Sequence, residues 1–149
     1  MSLKKTIEAD IKQAMLAKEK DVLQALRAIK SLILLAETEK GGQEELSADV
    51  ELKLLTKAAK QRRESAEIYA KQGRADLEAV EVKELEVIER YMPKQLSDDE
   101  IVAKLKEIMT RVGATSAADL GKVMGTATKE LSGMADGKVI SAKVKELLA

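Results

Sequence analysis

The densest run of basic side chains is Lys60-Gln61-Arg62-Arg63-Glu64-Ser65. Arg62 and Arg63 are the candidates in it for an anion or RNA contact. Helical periodicity places both mid-helix, about 100° apart around the axis, so they cannot serve one flat patch equally. Arg63 and Glu67 have the spacing of a helical ion pair, and a solvated or salt-bridged helix face is the expectation, with the anion or RNA contact as the alternative. A second set of cations lies near the C-terminus: Lys122, Lys129, Lys138, Lys143 and Lys145, against Glu130, Asp136 and Glu146. The local excess of positive charge is small. It fits weak, salt-sensitive contact with phosphate and nothing stronger.

Gly121-Lys122-Val123-Met124-Gly125 is not a phosphate loop, because the spacing and the preceding strand of a Walker motif are both missing. Its glycines fall inside an expected helix, where each costs roughly 1 kcal/mol relative to alanine. Four residues apart, they share a face. Close approach of another helix, or of an RNA backbone, would account for both, and close helix packing is the expectation. Asp136, before Gly137-Lys138, opens a last helix. It is an ordinary N-cap, beside a helix N-terminus that also suits an anion. Glu78, Glu81, Glu84, Glu86 and Glu89 invite a metal reading. No histidine accompanies them, and solvated helix surface is the expectation.

The 149 residues contain no cysteine and no histidine. That removes thiol nucleophiles, disulfides, His-based triads and zinc sites built on His and Cys. No nucleophile stands beside a plausible base, so no reaction class, cofactor or metal is implied. With 26 basic and 26 acidic residues the net charge is zero, which is not the footprint of a strong non-specific nucleic-acid binder. Phe and Trp are absent, and with them the aromatic platforms that stack single-stranded bases. The longest apolar stretch, Leu32 to Ala36, is far short of the roughly 20 residues of a membrane span. Met1-Ser2-Leu3-Lys4-Lys5 lacks the apolar run of a secretory signal, and a cytoplasmic location is expected.

Aliphatic side chains must therefore build the core, and their period is helical. Leu3, Ile7, Ile11, Ala14 and Met15 mark a first helix capped by Ser2. Val22, Leu26, Ile29, Ile33 and Ala36 mark a second, with Asp21 as its expected cap and Gly41-Gly42 as its end. Ser47 caps a third that runs to Gln72 and stops at Gly73. Leu77, Val80, Leu85, Ile88 and Tyr91 form a fourth, ended by Met92-Pro93. Beyond it Ser97-Asp98-Asp99-Glu100 is a capping box. The helix that follows stops at Gly113, another starts at Ser116 with Asp119, and a third runs from Lys138 to Leu148. The expected fold is all-α, a four-helix N-terminal part over 1–93 and a small three-helix domain over 94–149. Lys94-Gln95-Leu96 is the expected linker.

Several strings, taken together, resemble the YqeY family: Lys60 to Ser65, Gly73-Arg74-Ala75-Asp76-Leu77, Tyr91-Met92-Pro93-Lys94-Gln95-Leu96-Ser97, Gly113-Ala114-Thr115-Ser116, Asp119 to Gly125, and Ala135-Asp136-Gly137-Lys138. Departures are slight: Met92 where the family more often has leucine, and Ile140-Ser141 where Val-Asn is commoner. The family is similar to the tail of the GatB subunit of the tRNA-dependent amidotransferase, a domain that holds tRNA while kinase and amidase chemistry lie elsewhere. The resemblance implies a tRNA-binding or amidotransferase-associated accessory, whose partners would be tRNA or a protein of translation. A carbon–nitrogen ligase activity with glutamine as amide donor would follow from kinship alone. A protein–protein adaptor without RNA affinity is the alternative.

Overall fold

A computed structural model describes residues 2–42 and 45–149. Among them every regular element is helical: α1 (Leu3–Leu16), α2 (Lys20–Glu39), α3 (Ala48–Lys71), α4 (Ala75–Glu89), α5 (Asp98–Val112), a single 3-10 turn (Ala117–Asp119), α6 (Leu120–Glu130) and α7 (Gly137–Leu148). Backbone contacts divide the chain into two compact units, which meet between Met92 and Pro93.

In the first unit, Ile7 and Ala14 of α1, Leu26, Ile29 and Ile33 of α2, Leu55 and Ala59 of α3, and Val87 and Ile88 of α4 close one aliphatic core. Burial of that apolar stripe, more than intrinsic propensity, holds helices of this kind in place. α3 lies along α4 for most of its length but touches α2 only sparsely. Polar ties fix the ends. Glu51 accepts from the Leu3 amide at 3.0 Å, joining the start of α1 to α3. The Tyr91 hydroxyl, just past α4, donates to the Asp10 carboxylate on α1. Burial and that bond hold the phenol protonated well above its ordinary range.

The second unit has its own core, from Ile101, Leu105 and Ile108 of α5, Val123 and Ala127 of α6, Leu131, and Ile140, Val144 and Leu148 of α7. Lys94-Gln95-Leu96 does not behave as a linker. The Gln95 amide donates to the carbonyl of the buried Gly133 at 2.6 Å. The Leu96 amide donates to Met134 at 2.9 Å, and its side chain joins this core. A buried carbonyl in a left-handed turn needs a donor from outside the helices, and the segment supplies it.

Helix ends follow the residues that can satisfy orphan amides and carbonyls. Ser2 and Ser47 accept from the amides of Lys5 and Val50. The capping box forms at α5, with both bonds between Ser97 and Glu100 at 3.2 Å. Gly113 adopts a left-handed φ of 70° and ends that helix. The cap of α2 is a correction: Lys18 turns the chain with a φ of 58°, the helix starts at Lys20, and Asp21 already lies in its first turn.

The Ser97 amide holds the Glu100 carboxyl below its ordinary range, so the charged form is favoured in the folded state. Its contribution is present above the usual carboxylate pKa of about 4.3 and is lost as pH falls through the lowered value. Ser97→Ala is expected to cost about 1 kcal/mol. Amide hydrogen exchange along α5 measures both effects. Protection at the start of α5 should drop in acid in the parent chain and already at neutral pH in the variant.

Candidate functional surface

The side chains that could do chemistry are mostly engaged by their own helices. The hydroxyls of Thr6, Ser31, Thr38, Thr56, Thr110 and Thr126 donate to the carbonyl four residues earlier, the usual fate of a helical hydroxyl. Ser2, Ser47 and Ser97 cap helices. None of these oxygens is presented to a base. Among the described residues no three acidic side chains gather as cation ligands.

Arg62 and Arg63 of the basic run face α4 along the hairpin, while Lys60 is exposed. Arg62 Nη1 lies 2.9 Å from Glu84 Oε2 and 3.0 Å from Glu81 Oε2. Glu81 and Glu84 are 13% and 14% exposed, and Arg62 is 33% exposed. Glu81 Oε2 is shielded from water and has no aligned hydrogen bond, so proximity to the guanidinium is what offsets its desolvation. Arg63 reaches Glu89 at 3.7 Å. Burial pushes the Glu89 carboxyl up, and Arg63 pulls it back. The salt-bridged reading of this run fits Arg62 and Arg63, which α4 carboxylates hold, whereas Glu81 and Glu84, expected on solvated helix surface, are largely removed from water.

The C-terminal lysines separate into two groups. Lys143 is 18% exposed on its side chain and lies 3.7 Å from Asp98 at the start of α5, so it serves the packing of α7 on α5. Lys122, Lys129 and Lys145 are exposed, and no carboxylate among the described residues lies within ion-pair distance of them. Lys138 is exposed too, and its amide donates to the Asp136 carboxylate at 3.0 Å. The N-terminus of α7 thus carries an anionic group of its own.

Gly121 and Gly125 are also corrected. Both are exposed, and a Cβ built on either meets nothing within 4 Å. Among the described residues no helix packs on them, because α6 turns Val123 and Ala127 to the core instead. Gly121, Gly125, Lys122 and Lys129 lie within an arc of roughly 100° around α6. The result is one bare stretch of backbone with two lysines along one edge. At its edge the Asp119 carboxylate accepts from the amides of Thr115 and Ser116, at 2.9 and 3.3 Å. Those bonds hold it below its ordinary range. On the far side of α6, Arg111 clamps Glu130 through both guanidinium nitrogens and ties α5 to α6.

The Yqey-like protein model matches residues 4–148, essentially the whole chain. The chain belongs to the Yqey-like family. It is also similar to two proteins named altered inheritance of mitochondria protein 41, mitochondrial. The one from Clavispora lusitaniae is 35% identical over 118 residues, covering 78% of this chain and 68% of that protein. The one from Meyerozyma guilliermondii is 33% identical over 109 residues, covering 72% of this chain and 56% of its own length. The chain therefore spans little more than half of the second relative. Among the described residues, no helix of this Yqey-like protein is long and apolar enough to cross a membrane.

Arg62→Leu strands two half-buried carboxylates and is expected to destabilise the first unit by about 2 kcal/mol, between the values for exposed and buried pairs. Adding Glu81→Gln and Glu84→Gln should return most of that loss. Urea unfolding followed by exchange of α3 and α4 amides checks it, and equal stability of the single and triple variants would show that the guanidinium is not what holds those acids.

Proposed function

We propose that this Yqey-like protein is a tRNA-binding accessory, related to the machinery that amidates misacylated tRNA but without a catalytic site of its own. The observation that carries the reading is the bare face of α6. Gly121 and Gly125 bring no side chain to it and meet no packing partner among the described residues, while Lys122, whose charge also acts on Asp119, and Lys129 line one edge of it. A phosphate backbone needs that combination: room to approach the main chain, and cations that gain more from phosphate than from water. Lys138 and Lys145, two turns apart on one face of α7, are further exposed cations. Lys143, Arg62 and Arg63 are left out of it, because carboxylates of the chain already hold them.

Two glycines in one short helix are otherwise hard to justify. Each weakens α6, and nothing among the described residues requires a missing Cβ there. A structural role would show a contact where the side chain is lacking; a binding role leaves the space open for an outside group. The reading sets the protein in the cytoplasm, as a noncovalent partner of folded tRNA. The weak charge excess makes affinity modest and dependent on shape. The names of the two relatives associate those proteins with mitochondria.

Fluorescence anisotropy of labelled total tRNA, titrated with the full chain at two salt concentrations, tests the reading. Lys122→Glu with Lys129→Glu is expected to weaken binding about tenfold or more and to flatten the salt dependence by about one to two phosphate contacts. Gly125→Ala should stabilise α6 by about 0.5–1 kcal/mol and yet lower tRNA affinity. Unchanged affinity in both variants, or no binding of the parent chain at low salt, removes the reading.

A further inference from the structure

Because α3 leans on α4 and meets α2 sparsely, the two helices leave a groove between them in the first unit. Its volume is about 340 Å³. Leu32, Leu35 and Ala36 form one wall, and Val50, Leu54 and Ala58 the other. Leu35 is 58% exposed, and Leu32 is exposed beside it. Met15, Leu16, Ile68 and Val80 are exposed elsewhere in the unit, but Leu32 and Leu35 stand together on the wall of a concavity, and an apolar line of that kind marks a surface built to be covered.

The rim has a sign. Lys53 and Lys57 edge the groove from α3, one turn apart. Lys60 continues their row within roughly 60° of arc. None of the three has a carboxylate within ion-pair distance among the described residues, although Arg62 and Arg63 on the same helix are both paired. The opposite rim offers only Glu39. Asp49 and Glu64 bracket the row one turn beyond Lys53 and Lys60 on the same face, and between them the three lysines edge the apolar trough and favour an occupant with an acidic flank.

We propose that this groove docks an amphipathic helix of a partner protein, about three turns long, whose apolar face enters between α2 and α3 and whose acidic flank lies along Lys53, Lys57 and Lys60. Helix-in-groove recognition reads apolar anchors at i, i+3, i+4 and i+7, and flanking charge fixes orientation and excludes wrong partners. A nucleic acid would use the lysines but not Leu32 and Leu35. A bilayer is flat and would meet the rims before the trough. In a two-fold pairing, a second copy would bring the same row of lysines to the same surface, cation towards cation. An acidic helix satisfies the trough and the rim together.

The test uses the full chain and three labelled synthetic peptides of one length. One is a leucine-faced helix flanked by glutamates, one has lysines for the glutamates, and one scrambles the acidic sequence. The acidic helix should bind at least about tenfold more tightly than the other two. Leu35→Ser, and separately Lys53→Glu with Lys57→Glu, should each reduce that affinity about tenfold, while Lys122→Glu with Lys129→Glu leaves it unchanged. Circular dichroism confirms that each variant keeps its helical content, and a variant that does not is replaced by Leu32→Ser. Equal binding of all three peptides overturns the proposal, as does affinity indifferent to both groove variants. So does dimerisation abolished by Leu35→Ser without peptide binding, or capture of tRNA or anionic phosphatidylserine vesicles through Lys53 and Lys57 in place of the peptide.

Discussion

Arg62 sits where α3 and α4 would otherwise place two carboxylates against each other, and its guanidinium decides how that hairpin closes. Glu81 and Glu84 are both largely removed from water. Without a cation between them, each would pay for desolvation and for the other's charge. With Arg62 in place, α4 lies along α3 with Val87 and Ile88 in the core, and Arg63 extends the seam to Glu89. Because α3 is committed to α4 in this way, its contact with α2 is thin and the trough lined by Leu32, Leu35 and Leu54 stays open. One ion cluster therefore accounts both for the close pairing of α3 with α4 and for an open apolar surface on the first unit.

The second unit works by a different economy. Its helices are short, so the unsatisfied amides and carbonyls at their ends weigh more against the bonds within. The chain answers with local acceptors at nearly every start: Ser97 with Glu100, Asp119 for Thr115 and Ser116, Asp136 for Lys138. Arg111 to Glu130 and Lys143 to Asp98 then tie the helices to each other. After these ties are made, Lys122 and Lys129 remain exposed and outside any ion pair within 4 Å among the described residues, on the helix face that has also lost its side chains at two positions. Charge left over, and space left open, coincide on α6.

Much of this was legible in the sequence, for a local reason. Caps and stops depend on residues within four positions of one another, so Ser47, Gly73, the Ser97–Glu100 box and Gly113 could be read directly. The aliphatic period named the buried face of each helix. What could not be read were pairings between helices. Arg62 and Glu84 are 22 residues apart, and their register depends on how α3 and α4 settle after the Gly73 turn. Lys143 looked like its neighbours until α7 packed on α5 beside Asp98. Periodicity placed Gly121 and Gly125 on one face of α6 but said nothing of what stood opposite, and the expectation of a packed helix there was wrong. Gln95 looked like linker because its partner, the Gly133 carbonyl, comes from a distant turn. The Yqey-like membership was legible because it rests on order and spacing of short strings, which survive ignorance of the packing.

The division of labour between the two units, internal pairing on the α3–α4 seam and an outward-facing surface on α6, is most directly tested by mapping tRNA onto the isotope-labelled full chain by NMR. The account predicts that amide and lysine Nζ signals of Gly121, Lys122, Gly125, Lys129 and Lys145 shift or broaden with added tRNA, while those of Arg62, Arg63, Glu81 and Glu84 stay in place. Perturbations concentrated on α3 and α4, with α6 unchanged, would contradict it.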